Sequence, residues 1–200
     1  MPAVLSPPQQ KTSNAKRALF SCDQFHDMGD AGGFEGRSVI LVDGEILEMP
    51  NPNPPHDTAV TLTDYLLKDL FKNGFIVRIQ TGFPTSTDTD PVPDLAVVPG
   101  HARDYSRKHP RKAVLVVEVA DSSLAYDRNE KADLYAAAGI ADYWVIDVVN
   151  RQLLVFRDPK PDALSIRNFT YQTRLALDAT ATVSPLAMPT ANVAVADLLP

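Results

Sequence analysis

Two carboxylates and one amine in this chain stand where apolar residues would be the ordinary choice. Asp94 heads the run DLAVV, Glu118 lies inside AVLVVEVA, and Lys131 falls within DRNEKADLYAAAG. Burying an unpaired charge in such segments costs on the order of several kcal/mol, so each group needs a partner. A hard divalent cation shared by Asp94 and Glu118, with Lys131 close by, answers that need. Magnesium fits an oxygen-rich set of two carboxylates, a backbone carbonyl and waters. Such an ion polarises a phosphoryl oxygen and lowers the pKa of a bound water, while the lysine steers that water or stabilises charge building on the phosphate. The chemistry is phosphodiester hydrolysis. Two structural readings stay open beside it. Glu118 and Lys131 could form a buried ion pair that serves only the fold, and Asp94 after Pro93 could cap a turn.

Other chemistries find less support. There is no G-x-S-x-G elbow, and Ser122 and Ser123 have no evident histidine partner, which argues against acyl transfer. The histidines His26, His56, His101 and His109 lack H-E-x-x-H spacing. His56 follows a proline pair and either caps the next helix or faces the site. With one cysteine, Cys22, neither a disulfide framework nor a cysteine zinc site can be built. The cluster Gly29, Gly32, Gly33 and Gly36 has no strand before it and no Lys-Ser/Thr after it, so it makes a poor phosphate cradle.

The net charge of −6 bears on any nucleic-acid partner, because phosphate contacts then require the positive charge to be clustered. One such cluster exists. Arg103, Arg107, Lys108, Arg111 and Lys112 lie within GHARDYSRKHPRK, either as a solvated loop or as phosphate contacts beside the site.

The elements that must position these groups can be read from periodicity. Residues 1–15 are polar, contain prolines and read as a flexible tail; residues 16–200 suit a single domain. A short helix is expected from Cys22 to about Met28. SVILV and EILEMP form a hairpin about Asp43-Gly44. NPNPP bars helix until about His56, and Asp57 to Phe71 carries one apolar face. FIVRIQ, PDLAVV and the non-alternating AVLVVEVA are strands, the last central and covered on both faces. The next helix is expected to start at Asp127, as the N-cap of a D-x-x-E capping box completed by Glu130. Lys131, Leu134, Tyr135 and Ala138 then share one face, so Lys131 points inward. DYWVIDVV and QLLVFR form a further strand pair, with weaker strands near LSIRNFTY and TVSPLAM. A mixed sheet flanked by helices follows. The first residues lack a signal-peptide core and no stretch is long enough to span a membrane, so a cytoplasmic protein with no membrane contact is expected.

The pattern VDGEILEMP, His56, PVPDLAVVP, then EVADSS, YDR, Lys131, AGI and YWVID resembles the Uma-type family of bacterial restriction-endonuclease-type proteins, within the PD-(D/E)XK nuclease superfamily. The resemblance covers about residues 38–158. It implies an α/β fold, a restriction-endonuclease-like α/β/α core with a central mixed sheet, here with an additional N-terminal hairpin. It also implies magnesium-dependent cleavage of DNA, with manganese able to substitute. Asp94 matches the PD aspartate and Glu118 the (D/E) position, both as metal ligands. The superfamily's usual lysine position is Ala120 here; relatives of this type carry the lysine on the following helix, where Lys131 stands. Glu48, His56 and Asp127 are further candidates by position. Asp121 stands where many relatives have serine. The resemblance implies a homodimer, for which the 142–157 strand pair offers a pairing surface. The alternative is a nuclease-fold protein that binds DNA or protein without cutting.

Overall fold

The computed structural model describes residues 16–200, and the expected tail at 1–15 lies outside them. Helix α1 (Cys22–Asp30) is followed by the hairpin β1 (Val39–Val42) and β2 (Glu45–Glu48). Its turn residues Asp43 and Gly44 have φ of 52° and 77°, the left-handed pair that a two-residue hairpin needs. Helix α2 (Pro54–Leu70) begins two residues earlier than the prolines suggested. Proline lacks an N–H, but the first helical turn has no partner for one, so Pro54 and Pro55 fit there and Asn53 caps the helix through the His56 N–H.

Six strands make the main sheet: β3 (Phe75–Ile79), β4 (Leu95–Pro99), β5 (Leu115–Ala120), β6 (Asp142–Asp147), β7 (Gln152–Pro161) and β8 (Phe169–Asp178), in that spatial order. Every neighbouring pair is antiparallel except β5 and β6. That one parallel pair needs a crossover, which is helical. A short α3 (Leu124–Tyr126), a π turn over Asp127–Lys131 and α4 (Ala132–Ala137) run without a break. Asp127 therefore lies inside the helix, so the expected capping box does not form. Strands β9 (Thr182–Val183) and β10 (Val193–Ala194) make a small separate ribbon. Of the weaker strand segments, LSIRNFTY enters β8 only from Phe169, and TVSPLAM supplies only the two residues of β9.

Alternation divides the core between the two sheet faces. Leu95, Val97, Leu115, Val117 and Trp144 pack with Leu67 and Phe71 on the α2 side. Ala96, Val98, Val116, Ala120 and Val145 pack with Leu134 and Tyr135 on the α4 side. Helix, sheet and helix thus form three layers. Even-numbered residues of β4 and β5 face α4, which puts Glu118 on that side. The 142–157 pair does not offer an edge: β6 lies between β5 and β7, and β7 between β6 and β8. The sheet's free edges are β3 and β8. Among the described residues no helix is long and apolar enough to cross a membrane.

Candidate active site

Register brings the two carboxylates together. β4 pairs with β5 through Leu95↔Val117 and Ala96↔Val116, so the next position outward sets Asp94 beside Glu118. The ladder stops there and side chains take over. The Asp94 N–H donates to Glu118 Oε2 at 3.3 Å, and the Val119 N–H donates to Asp94 Oδ2 at 2.8 Å. Both groups sit at the C-terminal end of β5, where open sheets leave a crevice.

The helix supplies the cation. Lys131 Nζ lies 3.0 Å from Glu118 Oε2 and 3.1 Å from Asp127 Oδ1. The side chains of Glu118 and Asp127 are 2% exposed and that of Lys131 is 8% exposed. Lys131 faces inward, as its spacing with Leu134 and Tyr135 predicts. The wide π turn places Asp127 on the same side, a distortion common at functional sites. The Asp127 carbonyl accepts the Tyr143 hydroxyl at 2.9 Å, and its carboxylate accepts the Ser123 hydroxyl. Tyr135 donates to Glu118 Oε1 at 2.7 Å. Its role was open to the helical count, which sets Tyr135 four residues after Lys131.

His56 completes the group from α2. Its Nε2 is 3.3 Å from Asp94, and its buried Nδ1 has no hydrogen-bond partner among the described residues. Gln80 donates to Asp94 Oδ1 at 3.3 Å from the end of β3, a contact that no pattern in the sequence announces. A cleft of about 340 Å³ opens over this cluster, with Asn53 and Asp121 joined at its rim by a 2.6 Å hydrogen bond.

Two expected participants lie elsewhere. Glu48 does not line the cleft; it is exposed and pairs with Arg37 at 2.8 Å. None of Arg103, Arg107, Lys108, Arg111 and Lys112 lines it either, because their loop joins the opposite ends of β4 and β5 and folds toward α1.

The electrostatics follow from two carboxylates on one ammonium and a third, Asp94, on His56. Burial pushes the Glu118 carboxyl up, to about 8, with Lys131 only partly offsetting it. Burial opposes charge on Lys131 too, but Glu118, Asp127 and Asp94 together raise its pKa, so it stays an ammonium. Burial would raise Asp94 as well; the His56 hydrogen bond and charge and the Val119 N–H outweigh it and leave Asp94 below the usual carboxylate range. The same contact with Asp94 raises His56. Among the described residues no three or more His, Cys, Asp or Glu side chains by themselves form a metal-holding group. Magnesium asks for less, since one or two carboxylates suffice when waters and substrate phosphates fill the remaining positions. Asp94 and Glu118, side by side at the floor of the cleft, fit one divalent cation at this end of the sheet.

A family model described as "Putative restriction endonuclease", Uma2, matches residues 22–196. The chain belongs to the Uma2 family. No curated protein matches it. Among solved structures it is similar to the crystal structure of a putative nuclease belonging to DUF820 from Anabaena variabilis ATCC 29413. The two share 16% identity and a TM-score of 0.69, over 90% of this chain and 97% of that one. That likeness is one of fold, and it agrees with the expected mixed sheet between helices. Uma2 membership agrees with the family resemblance carried by EVADSS, YDR and YWVID.

Proposed function

We propose that the protein is a magnesium-dependent endonuclease that hydrolyses phosphodiester bonds in DNA, with manganese able to replace magnesium. The observation that carries the reading is the placing of Asp94 beside Glu118 and of Lys131 on Glu118 and Asp127, at the floor of an open cleft. A fold with no use for a cation there would be better served by apolar residues or by matched pairs.

In this reading Asp94 and Glu118 hold the divalent ion, which supplies Lewis-acid polarisation of a phosphoryl oxygen when bound. Lys131 remains protonated and offers its N–H groups to negative charge building on the phosphate. Val119 and Gln80 fix the Asp94 carboxylate, and Tyr135 fixes Glu118 Oε1, so both acids are oriented before substrate arrives. His56 holds Asp94 from the other side and can give or take a proton at Nε2 near the cleft. Asp127 holds Lys131 in place.

Plasmid DNA incubated with magnesium or manganese tests this. Wild type is expected to nick or linearise the plasmid, and Asp94→Ala and Lys131→Ala to lose at least about a hundredfold in rate. Equal cleavage by all three would sink the assignment, and DNA binding without cleavage by any of them would favour a binding module on a nuclease fold.

A further inference from the structure

Away from the cleft, α1 and the loop after β4 enclose a second groove, about 1000 Å³ in volume. Arg107, Lys108, Arg111 and Lys112 line one flank of it, all exposed. None of them pairs with a carboxylate among the described residues. In a chain of net charge −6 these four unneutralised cations are a local reversal of sign. Asp23 and Asp30 lie on the α1 side, which confines the attraction to the 107–112 flank.

The other flank is a row of rings. Phe34 and Phe25 have centroids 5.1 Å apart, Phe25 and His26 5.8 Å, and His26 and His109 5.9 Å. The two imidazoles are fixed from behind. Asp90 lies 2.7 Å from His26 Nε2, and Arg78 Nη2 lies 3.1 Å from His109 Nδ1. Arginine only donates, so His109 Nδ1 accepts and its Nε2 carries the hydrogen. A Cβ at Gly82 would come within 3.2 Å of Asp90 Oδ1 and 3.3 Å of His109 Nε2, so glycine there lets the two supports approach. The loop itself is pinned by Tyr105, whose hydroxyl donates to the Pro99 carbonyl and whose ring lies 5.7 Å from the Arg78 guanidinium. Partly buried rings held in a row beside unpaired cations have no evident use in the fold.

We propose that this groove binds single-stranded DNA, with backbone phosphates along Arg107, Lys108, Arg111 and Lys112 and unpaired bases against Phe34, Phe25 and His26. A single strand offers aromatic faces that a duplex keeps stacked inside, and base stacking on protein rings works without sequence preference. An acidic protein segment would use the cations and leave the rings idle. The inference rests on the nuclease reading only for the choice of DNA. The groove and the cleft flank the same short segment, in which Gln80 lines the cleft and Gly82 touches His109.

The test is fluorescence anisotropy of the full chain in EDTA, with a labelled oligo-thymidine of about 20 nucleotides and a duplex of equal charge. The oligo-thymidine is expected to bind at least about fivefold more tightly than the duplex. Phe25→Leu and Phe34→Leu keep apolar bulk but lose the stacking face; each is expected to weaken the single strand at least about fivefold and to leave the duplex unchanged. Replacing the four cations by alanine should weaken both by at least about tenfold and flatten the salt dependence. Thermal melting of each variant shows that it is folded. Equal or tighter duplex binding, or unchanged binding in both leucine variants, would overturn the proposal. Equally tight binding of a polyglutamate peptide would also overturn it and assign the groove to an acidic protein. Because no metal is present, an Asp94→Asn chain that cannot cut is still expected to bind the strand, so this proposal and the nuclease reading fail separately.

Discussion

Two neighbouring strands each bury acids, and their partners could hardly differ more. On β6, Asp142 is fully buried, and its oxygens accept from Trp144 Nε1 at 2.9 Å, Arg157 Nε at 2.8 Å, Arg157 Nη2 at 3.3 Å and the Leu186 N–H at 2.8 Å. One carboxylate meets one guanidinium, and every lone pair has a fixed donor. On β5 and its surroundings, Glu118 and Asp127 share the Lys131 ammonium, while Asp94 beside Glu118 contacts His56. The first arrangement is a lock for the sheet. The second gathers three acids from separate elements at the floor of an open cleft, which a fold keeps only at a cost in stability. Burial of an acid therefore does not mark a site; several acids gathered at an open cleft do.

That contrast can be broken experimentally, most sharply at Glu118. Glu118→Gln removes the carboxylate that a cation needs while keeping shape, so DNA cleavage should fall at least about a hundredfold while the urea midpoint holds or rises. A matching loss of stability would make the two clusters alike. The reverse is expected at Asp142. Asp142→Ala leaves Arg157 unpaired and should cost about 3 kcal/mol in urea unfolding, with the cleavage rate of the folded fraction unchanged. Magnesium at about ten times its dissociation constant should stabilise wild type by about 1.4 kcal/mol. The gain should vanish in Asp94→Asn and persist in Asp147→Asn. The smallest effect concerns pH. Burial raises the Asp147 carboxyl, but donors from Gln152 and Asn150 outweigh it and hold the group below its ordinary range. A depressed pKa gives stability that is present above the unfolded value and lost as pH falls through the folded one. Asp147→Asn should thus cost about 1 kcal/mol at neutral pH, and unfolding at a series of pH values should show that difference shrinking in acid.

The sequence made part of this contrast visible. The AVLVVEVA run and the one-face spacing of Lys131, Leu134 and Tyr135 were enough to join Glu118 to Lys131, because strand and helix periods are local properties. Asp94 followed from its place before an apolar strand, although only register shows that it stands opposite Glu118. By the same reasoning DYWVID also places acids in an apolar strand, and nothing local separates Asp142 from Glu118. The difference lies in Arg157 and Leu186, far along the chain. Asp127 read as a cap because D-x-x-E is a local signal; the π turn that buries it answers to packing against Tyr143. The places of Glu48 and the basic loop stayed open for a similar reason. Their side chains are polar and exposed, and such residues carry no periodicity that says which way the backbone turns.

Asp94 and Glu118 are proposed to hold a divalent cation at the floor of the cleft. Titration with manganese, read by electron paramagnetic resonance of the free ion, tests it without reference to cleavage. Wild type and Asp142→Asn are expected to take up manganese at this site, and Asp94→Asn and Glu118→Gln to lose that uptake. Manganese binding that survives both of the latter substitutions, or that is absent from folded wild type, would contradict the account.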